Sequence, residues 1–500
     1  MTILYPRSLL IGFDTQYDQE ALVAALQGGR DSETAPFIAL ISRGNELGDR
    51  AAVYINSTRG FRDLNTTVSR AWPFPPPYFL KKLLSSKPQA MEMMARRVNG
   101  VDGPGSSHQS RSRQWREWVT YCYGFLVHHK IDRVIQNNVP HLAFEYIAHC
   151  VARALGIKTN FTMQLAVKGT FVVAESIEGM FEPLAQDLQG ACGVSDLTLQ
   201  PRLEDEFARR TGKRHPWYMA KKRAPAKQQL RTRLRRILHP HLNPRVTERV
   251  RALFSGLAKG RAQRAIGCGT APPSPFIYFP LHLQPEATTM PLGGMFADQL
   301  IAMETLARAV PPHWTIAVKE NPKQRLKHRT PEFYERLREI PRVRLVDGNT
   351  STFDLTSESS AVATITGNAG WEALFAGKPV VTFGEAFFKH APGVIAVDEL
   401  TDLEDLDRAL VEIDLGTFPT ATHEQLRRFL ASLQRVAREG VVNVQYLQDS
   451  GLEYNQAVLG FSSAIREMMG LDLVASVADT RGNIDVPDTA FSSSEAGPLG

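Results

Sequence analysis

The chain has 500 residues, 43% of them hydrophobic, with 58 basic and 52 acidic side chains and a net charge of +6. That size and composition exclude a small stapled domain and an unstructured polymer, and predict two or three globular domains. The four cysteines (Cys122, Cys150, Cys192, Cys268) have neither CxxC nor metal-ligand spacing, which predicts buried thiols in a reducing compartment. No run approaches the roughly eighteen apolar residues of a membrane span, and the apolar stretch after Arg7 is too short for a signal peptide core. A cytoplasmic protein is expected.

In chain order, residues 8–13 read as a strand and 19–27 as a helix, with further strands at 37–42 and 51–55. The segment AWPFPPPYF (71–79) reads as a rigid proline loop. VDGPGSSHQSRSR (101–113) reads as a flexible loop before a helix at 114–129. A short strand at 132–138, a helix at 141–156 ending on Gly156, and a strand at 158–163 complete a first α/β domain, residues 1–200. Residues 201–270 are expected to form a basic helical insertion and linker. Between Arg209 and Arg264, Glu248 is the only acid, a charge pattern suited to an anionic membrane surface, a polyanionic glycan or nucleic acid. A solvated helical connection carries the same pattern.

Alternation resumes in residues 271–400. Strands are expected at 276–282, 315–320, 343–347, 360–366 and 379–384, with helices at 297–310, 331–340 and 370–377 and a short one within 350–359. Residues 401–473 read as helices and 474–500 as a disordered tail. Strand–helix alternation on both sides of a linker predicts two doubly wound, Rossmann-like domains facing a cleft. Ligands of such sheets lie beyond the carboxyl ends of the strands.

The turns after those strands hold the candidate residues. Thr366-Gly367-Asn368-Ala369-Gly370 ends one strand and opens a helix. Glycines there would let a ligand approach the backbone, and helix N-terminal amides attract phosphate. Glu372, expected in the first helical turn, is suited to ribose hydroxyls. The loop after strand 276–282 crowds His282, Gln284, Glu286, Thr288 and Thr289 before Gly293-Gly294, and is longer than most βα connections. Lys319 and Asn321 sit at the next strand end, and Ser351 is a helix cap candidate. In the N-terminal half, Asp14 follows the first strand. His141 and Glu145 share one face where a helix starts, a pair able to orient or deprotonate a hydroxyl.

The stretches YFPLHLQPEATTMPLGGMFADQL, VKENP, TSTFDL and ATITGNAGWEALFAGKPVVTFGE, in this order and spacing, resemble the bacterial capsule polysaccharide biosynthesis family, which includes the KpsC- and KpsS-type Kdo transferases. The resemblance spans about residues 276–397; DRVIQNNVPHLAFEYIAHCVARALGI (132–157) is more loosely similar to related surface-glycan proteins. It implies a GT-B glycosyltransferase with no essential metal or cofactor, a nucleotide-sugar donor in the C-terminal domain (a CMP-sugar in the Kdo enzymes) and a glycan or lipid-linked glycan acceptor. On that reading the catalytic candidates are Asp14, His141, Glu145, His282 and Glu286. The nucleotide-binding candidates are Gln284, Thr288, Thr289, Lys319, Asn321, Ser351, Thr366, Gly367, Asn368, Gly370 and Glu372. The basic segment would hold the enzyme at the inner membrane. Asn321-Pro322 departs from the His-Pro common among related CMP-sugar transferases. Asparagine donates to phosphate but is no cation or acid, so a non-catalytic assembly or export component with the same shell is the alternative. Nucleic-acid binding through 209–264 is a third reading.

Overall fold

The computed structural model describes residues 6–26, 38–42, 53–56, 72–96, 107–190, 197–211, 269–284, 286, 288–324, 329, 331–398 and 401–471. Most of the expected basic insertion (212–268) and the tail lie outside these residues.

Strands β1 (Ser8–Ile11), β2 (Ile38–Ser42), β3 (Val53–Asn56), β4 (Arg133–Gln136), β5 (Lys158–Gln164) and β6 (Thr170–Ala174) build a first sheet. Strands β7 (Phe276–Pro280), β8 (Thr315–Lys319), β9 (Val343–Val346), β10 (Ala361–Thr364), β11 (Val380–Thr382) and β12 (Val394–Ala396) build a second. A two-residue strand far along the chain, β13 (Arg438–Glu439), joins the first. The orders are β13-β6-β5-β4-β1-β2-β3 and β12-β11-β10-β7-β8-β9. The second sheet is parallel throughout. The first is parallel from β3 to β5, and β6 then runs antiparallel to β5 and β13 antiparallel to β6.

Side-chain alternation makes both sheets two-faced. Leu9 and Ile11 join the core under the His108–His128 and Ala143–Ala154 helices, while Leu10 between them joins a core with the Gln16–Leu26 helix. In β7, Ile277 and Phe279 face one core and Phe276 and Tyr278 the other. Strands buried on both faces read as the continuous apolar runs seen in the sequence. In each sheet the order reverses beside its first strand, β1 between β2 and β4, β7 between β8 and β10. A crevice opens past the carboxyl ends at such a reversal. Two doubly wound units packed together give a GT-B-like fold. They meet through the Glu182–Gly190 helix of the first and the His423–Val436 helix that follows the second, with Leu184, Phe429, Leu430 and Leu433 in one continuous core.

Three local expectations change. The His108–His128 helix starts inside the supposed loop, because the Ser107 hydroxyl caps it by accepting the Ser110 N–H at 3.0 Å. A helix over Pro77–Lys82 starts inside the proline run, where proline at the first position loses no bonded N–H. The helix after β10 begins at Asn368, so Glu372 falls beyond its first turn.

Candidate active site

The crevice of the first sheet is lined from β1 and β4. Gly12 turns the chain with φ +83°, and a Cβ added there would stand 3.8 Å from Glu145 Oε1 and 4.0 Å from Asn137 Cβ. The Asn137 side chain donates to the Gly12 carbonyl at 3.3 Å. Glu145, buried, accepts the backbone N–H groups of Leu142 (3.0 Å) and His141 (3.2 Å), which ties it to the start of its own helix. His141 Nδ1 lies 2.8 Å from the Val139 carbonyl and 3.4 Å from Glu145 Oε2. A carbonyl only accepts, so Nδ1 carries the proton and Nε2 is the basic nitrogen of the neutral ring. Asp14 is half-buried beside this group, close enough for its charge to raise the pKa of Asp18.

The second crevice centres on His282 and Thr364. Thr364 Oγ1 accepts the Gly367 N–H at 3.0 Å and stands 2.8 Å from His282 Nε2. His282 is 7% exposed. Burial, with the Arg329 charge adding, holds its pKa down at about 3, so the ring is neutral. Its backbone is gripped too: Gln299 Oε1 accepts its N–H (2.7 Å) and Arg329 Nη2 donates to its carbonyl (2.7 Å). Arg329 is in turn paired with Glu320. His282 thus braces the turn after β10.

The expectation that Gly367 and Gly370 leave room for a ligand needs a different reason. A Cβ at Gly367 would stand 2.8 Å from Thr364 Oγ1 and 2.9 Å from His282 Nε2; one at Gly370 would stand 2.7 Å from Phe388 Cζ. These glycines admit the protein's own side chains. The Gly370 N–H is spent on the Gly367 carbonyl. What remains open at the corner is Asn368, exposed at the first position of the helix, with Ala369 half-buried behind it.

The 283–297 loop folds over the same corner. The Thr366 hydroxyl donates to the Thr288 carbonyl, Thr289 Oγ1 to the Leu283 carbonyl (3.0 Å), and the buried Gln284 amide to the Ala297 carbonyl. Gln284, Thr289 and Thr366 therefore build the loop. Glu286 is exposed, yet surrounding protein raises its pKa against the Thr288 hydrogen bond and the Lys323 charge. Its charge reaches Tyr446, on the segment returning to the first unit. Lys319 donates to the Thr350 carbonyl and to Thr352 Oγ1 (3.2 Å). Burial lowers its pKa, with the Asp347 charge opposing. Asn321 Oδ1 accepts the Lys323 N–H at 3.0 Å. The Ser351 hydroxyl caps the Thr352–Glu358 helix, as its sequence position alone explains. Glu372 faces Arg210, 3.9 Å away.

A short chain of bonds joins the two crevices. The Tyr146 hydroxyl, next to Glu145, donates to Gln89 Oε1 (2.7 Å), and Gln89 Nε2 donates to the Pro291 carbonyl of the 283–297 loop (3.2 Å). The Gly179 N–H points at Glu385 Oε1 (3.4 Å). Gln89, Thr364, Arg329 and Arg210, which bond to or lie against the candidate segments, are not among the residues the sequence singles out. Thr364 was hidden inside an apolar strand, and the others carry no local signal. Among the described residues no cluster of His, Cys, Asp and Glu could hold a metal ion. A concavity of about 980 Å³, lined by Lys168, Arg202, Arg209 and Glu439 among others, includes none of the expected site residues.

A family model described as capsule polysaccharide biosynthesis protein matches residues 289–405. The likeness to that family is confined to this part of the chain. The matched segment starts at Thr289 and carries Lys319, Asn321, the Thr366–Gly370 turn and Glu372; His282 lies just before it. No curated protein matches the chain. Among solved structures, a KpsC beta Kdo 2,7 transferase from Thermosulfurimonas dismutans is 12% identical, covering 78% of this chain and 97% of its own, with a TM-score of 0.30. The beta Kdo 2,4 transferase of KpsC from the same organism is 14% identical over 65% of this chain and 90% of its own, TM-score 0.29. A UDP-GlcNAc 2-epimerase from Methanocaldococcus jannaschii is 12% identical over 86% and 99%, TM-score 0.25. At these scores the likeness assigns no residue a role. No helix among the described residues is long and apolar enough to cross a membrane.

Proposed function

We propose that the chain is a metal-independent nucleotide-sugar glycosyltransferase of capsule or surface-polysaccharide assembly, with Kdo from a CMP-sugar as the transferred group. One observation carries this reading. The matched segment coincides with the crevice where β10 gives way to a helix opening on the exposed Asn368. Amides at a helix start have no intrahelical acceptor and favour an anion. The phosphate binds there, near Asn368, with Lys319 adding positive charge from the next strand end. Glu372 takes the ribose hydroxyls.

The acceptor, a glycan or lipid-linked glycan, enters from the first crevice. Its hydroxyl oxygen attacks the anomeric carbon, the bond from that carbon to the phosphate oxygen breaks, and the nucleotide leaves with the bonding electron pair. The hydroxyl proton passes to His141 Nε2, whose tautomer the Val139 carbonyl fixes. Glu145 holds the ring's segment by its two backbone bonds. Helix-end dipoles and Lys319 offset the charge growing on the leaving phosphate. The basic segment 209–264 keeps the enzyme at an anionic inner-membrane surface, each Lys or Arg near it contributing about 1 kcal/mol.

Calorimetric titration with CMP and UDP tests the site. Glu372→Ala and Thr366→Ala are expected to weaken the preferred nucleotide by at least about ten-fold, roughly 1.4 kcal/mol. Equal affinity in parent and variants would reject the assignment. Asn321 favours a second reading, a non-catalytic assembly component, because its Oδ1 is committed to the Lys323 N–H and it cannot act as an acid. Slow donor hydrolysis without acceptor supports the enzyme; its complete absence across CMP-, UDP- and GDP-sugars supports the second reading.

A further inference from the structure

The Pro201–Thr211 helix, which leads into the basic segment, lies against the Asn368–Phe375 helix. Glu206 is 2% exposed on it and holds two arginines, Arg209 at 2.6 Å and Arg210. A carboxylate this buried is tolerable only with such partners. The Arg210 guanidinium lies over the rings of Trp371 (5.9 Å) and Phe375 (6.0 Å), and its Nη1 is 3.9 Å from Glu372 Oε1. The contact is braced on its far side. Phe207 meets Phe375 edge-on at 6.0 Å, and Arg427 covers Phe207 at 5.3 Å while forming a two-pronged pair with Glu204 (2.9 and 2.6 Å).

We propose that Arg210 is a positioning residue of the nucleotide site: Glu206 fixes its guanidinium, the guanidinium fixes the orientation and charge of Glu372, and donor affinity thereby depends on the docking of the helix that opens the basic segment. This rests on Glu372 as the ribose-binding group. A guanidinium lying over two rings and bonded through Nε to a buried carboxylate has little freedom, so its charge is held beside Glu372. The charged neighbours can be named. The Pro201–Thr211 helix brings Arg209, Arg210 and Glu206. The His423–Val436 helix brings His423 and Arg427, both against Phe207. The segment after β11 brings Glu385, Lys389 and His390, with Lys389 paired to Glu385 and His390 near Glu182. Lys378 is tied to the Ser359 carbonyl. Among the described residues, Arg210 and Glu206 act on Glu372. Burial pushes its pKa up to about 7, Arg210 pulls it down and Glu206 pushes it up.

The test is titration of the full-length chain with CMP, and in parallel UDP, from pH 6 to 9. Ionised Glu372 accepts from the ribose hydroxyls, so affinity falls as pH drops through its pKa. Removing Arg210 raises that pKa. In Arg210→Gln the midpoint of the affinity loss is expected to move up by about one pH unit, weakening binding near neutral pH by up to about ten-fold with recovery at pH 9. Arg210→Lys keeps the charge without the planar guanidinium, and returns the midpoint towards that of the parent. Should Arg210→Gln not fold, a small upward shift in Arg210→Lys carries the proposal and an unmoved midpoint overturns it. A uniform loss at every pH marks a merely structural arginine and overturns it as well. Glu372→Gln is the control. If it flattens the pH profile while the Arg210 variants leave it unmoved, the arginine's role falls and the nucleotide site stands. If it leaves affinity and profile as in the parent, the nucleotide site itself falls, and the proposal with it.

Discussion

Asp18 is 1% exposed at the start of the Gln16–Leu26 helix, where its Oδ2 accepts the Thr15 N–H (2.9 Å) and Thr15 Oγ1 accepts its own N–H (3.2 Å). Burial pushes its pKa up to about 6 against the hydrogen bonds from Thr15 and Asn137, with the Asp14 charge adding to the rise. Between the ordinary carboxylate value and about 6 the folded chain therefore holds a proton that the unfolded chain has lost. Stability falls as pH rises through that window and is level above it. Asp18→Asn keeps an acceptor for Thr15 and has no charge to bury. It is expected to flatten the pH 4–6 slope and to add about 2–3 kcal/mol at pH 7. Urea unfolding at a series of pH values checks this; parallel curves for parent and variant would show that Asp18 ionises freely. At this scale the candidates Asp14, His141, Glu145, His282 and Glu372 were legible by residue type and by their places after strands. Their duties were less so. Nothing in the letters says that His282 would be walled in by Arg329, forty-seven positions away, and become a brace.

The decisive element is the turn between β10 and its helix. Thr364, the last residue of β10, puts a hydroxyl under the Gly367 N–H, and His282, just after the neighbouring strand β7, closes over it. An added methyl at Gly367 would strike both partners. Gly367→Ala is expected to cost about 1–3 kcal/mol of stability through overpacking, and to weaken nucleotide binding because the helix start shifts. Thermal unfolding and CMP titration on the same sample check both; unchanged affinity in a folded Gly367→Ala would mean that this turn carries no ligand. The 283–297 loop was legible as unusual from its density of polar residues. Its polarity is largely spent inward, since a loop that leaves the sheet and returns must find partners for its own backbone carbonyls. Thr289, Gln284 and Thr366 supply them.

Across the whole molecule the described part of the chain comes back to the first unit. After the second unit it returns through β13, and the Tyr454–Met469 helix packs on Gln16–Leu26. Phe461 stacks near Tyr17 and Phe13, and the Tyr17 hydroxyl points at the carbonyls of Val441 (2.7 Å) and Ala457 (2.9 Å). Truncation after Leu452 would expose Phe13, Tyr17, Ala21 and Leu22 as one apolar face. The truncated chain is expected to aggregate or to melt in two steps, whereas the full chain melts in one. Scanning calorimetry distinguishes them, and a single unshifted transition in the truncated chain would show that the returning helix adds nothing. The sequence by itself determined the two α/β units, the position of most strands within two or three residues and the turns worth suspecting. Those features are written in short-range periodicity and in glycine, proline and capping residues. Tertiary structure alone decided the strand order, and with it which two turns share a crevice. It also decided the return of the Tyr454–Met469 helix to the first unit and the meeting of Arg210 with Glu372. Each of these joins residues far apart in the chain, and burial on packing, which no local pattern encodes, selects the partners.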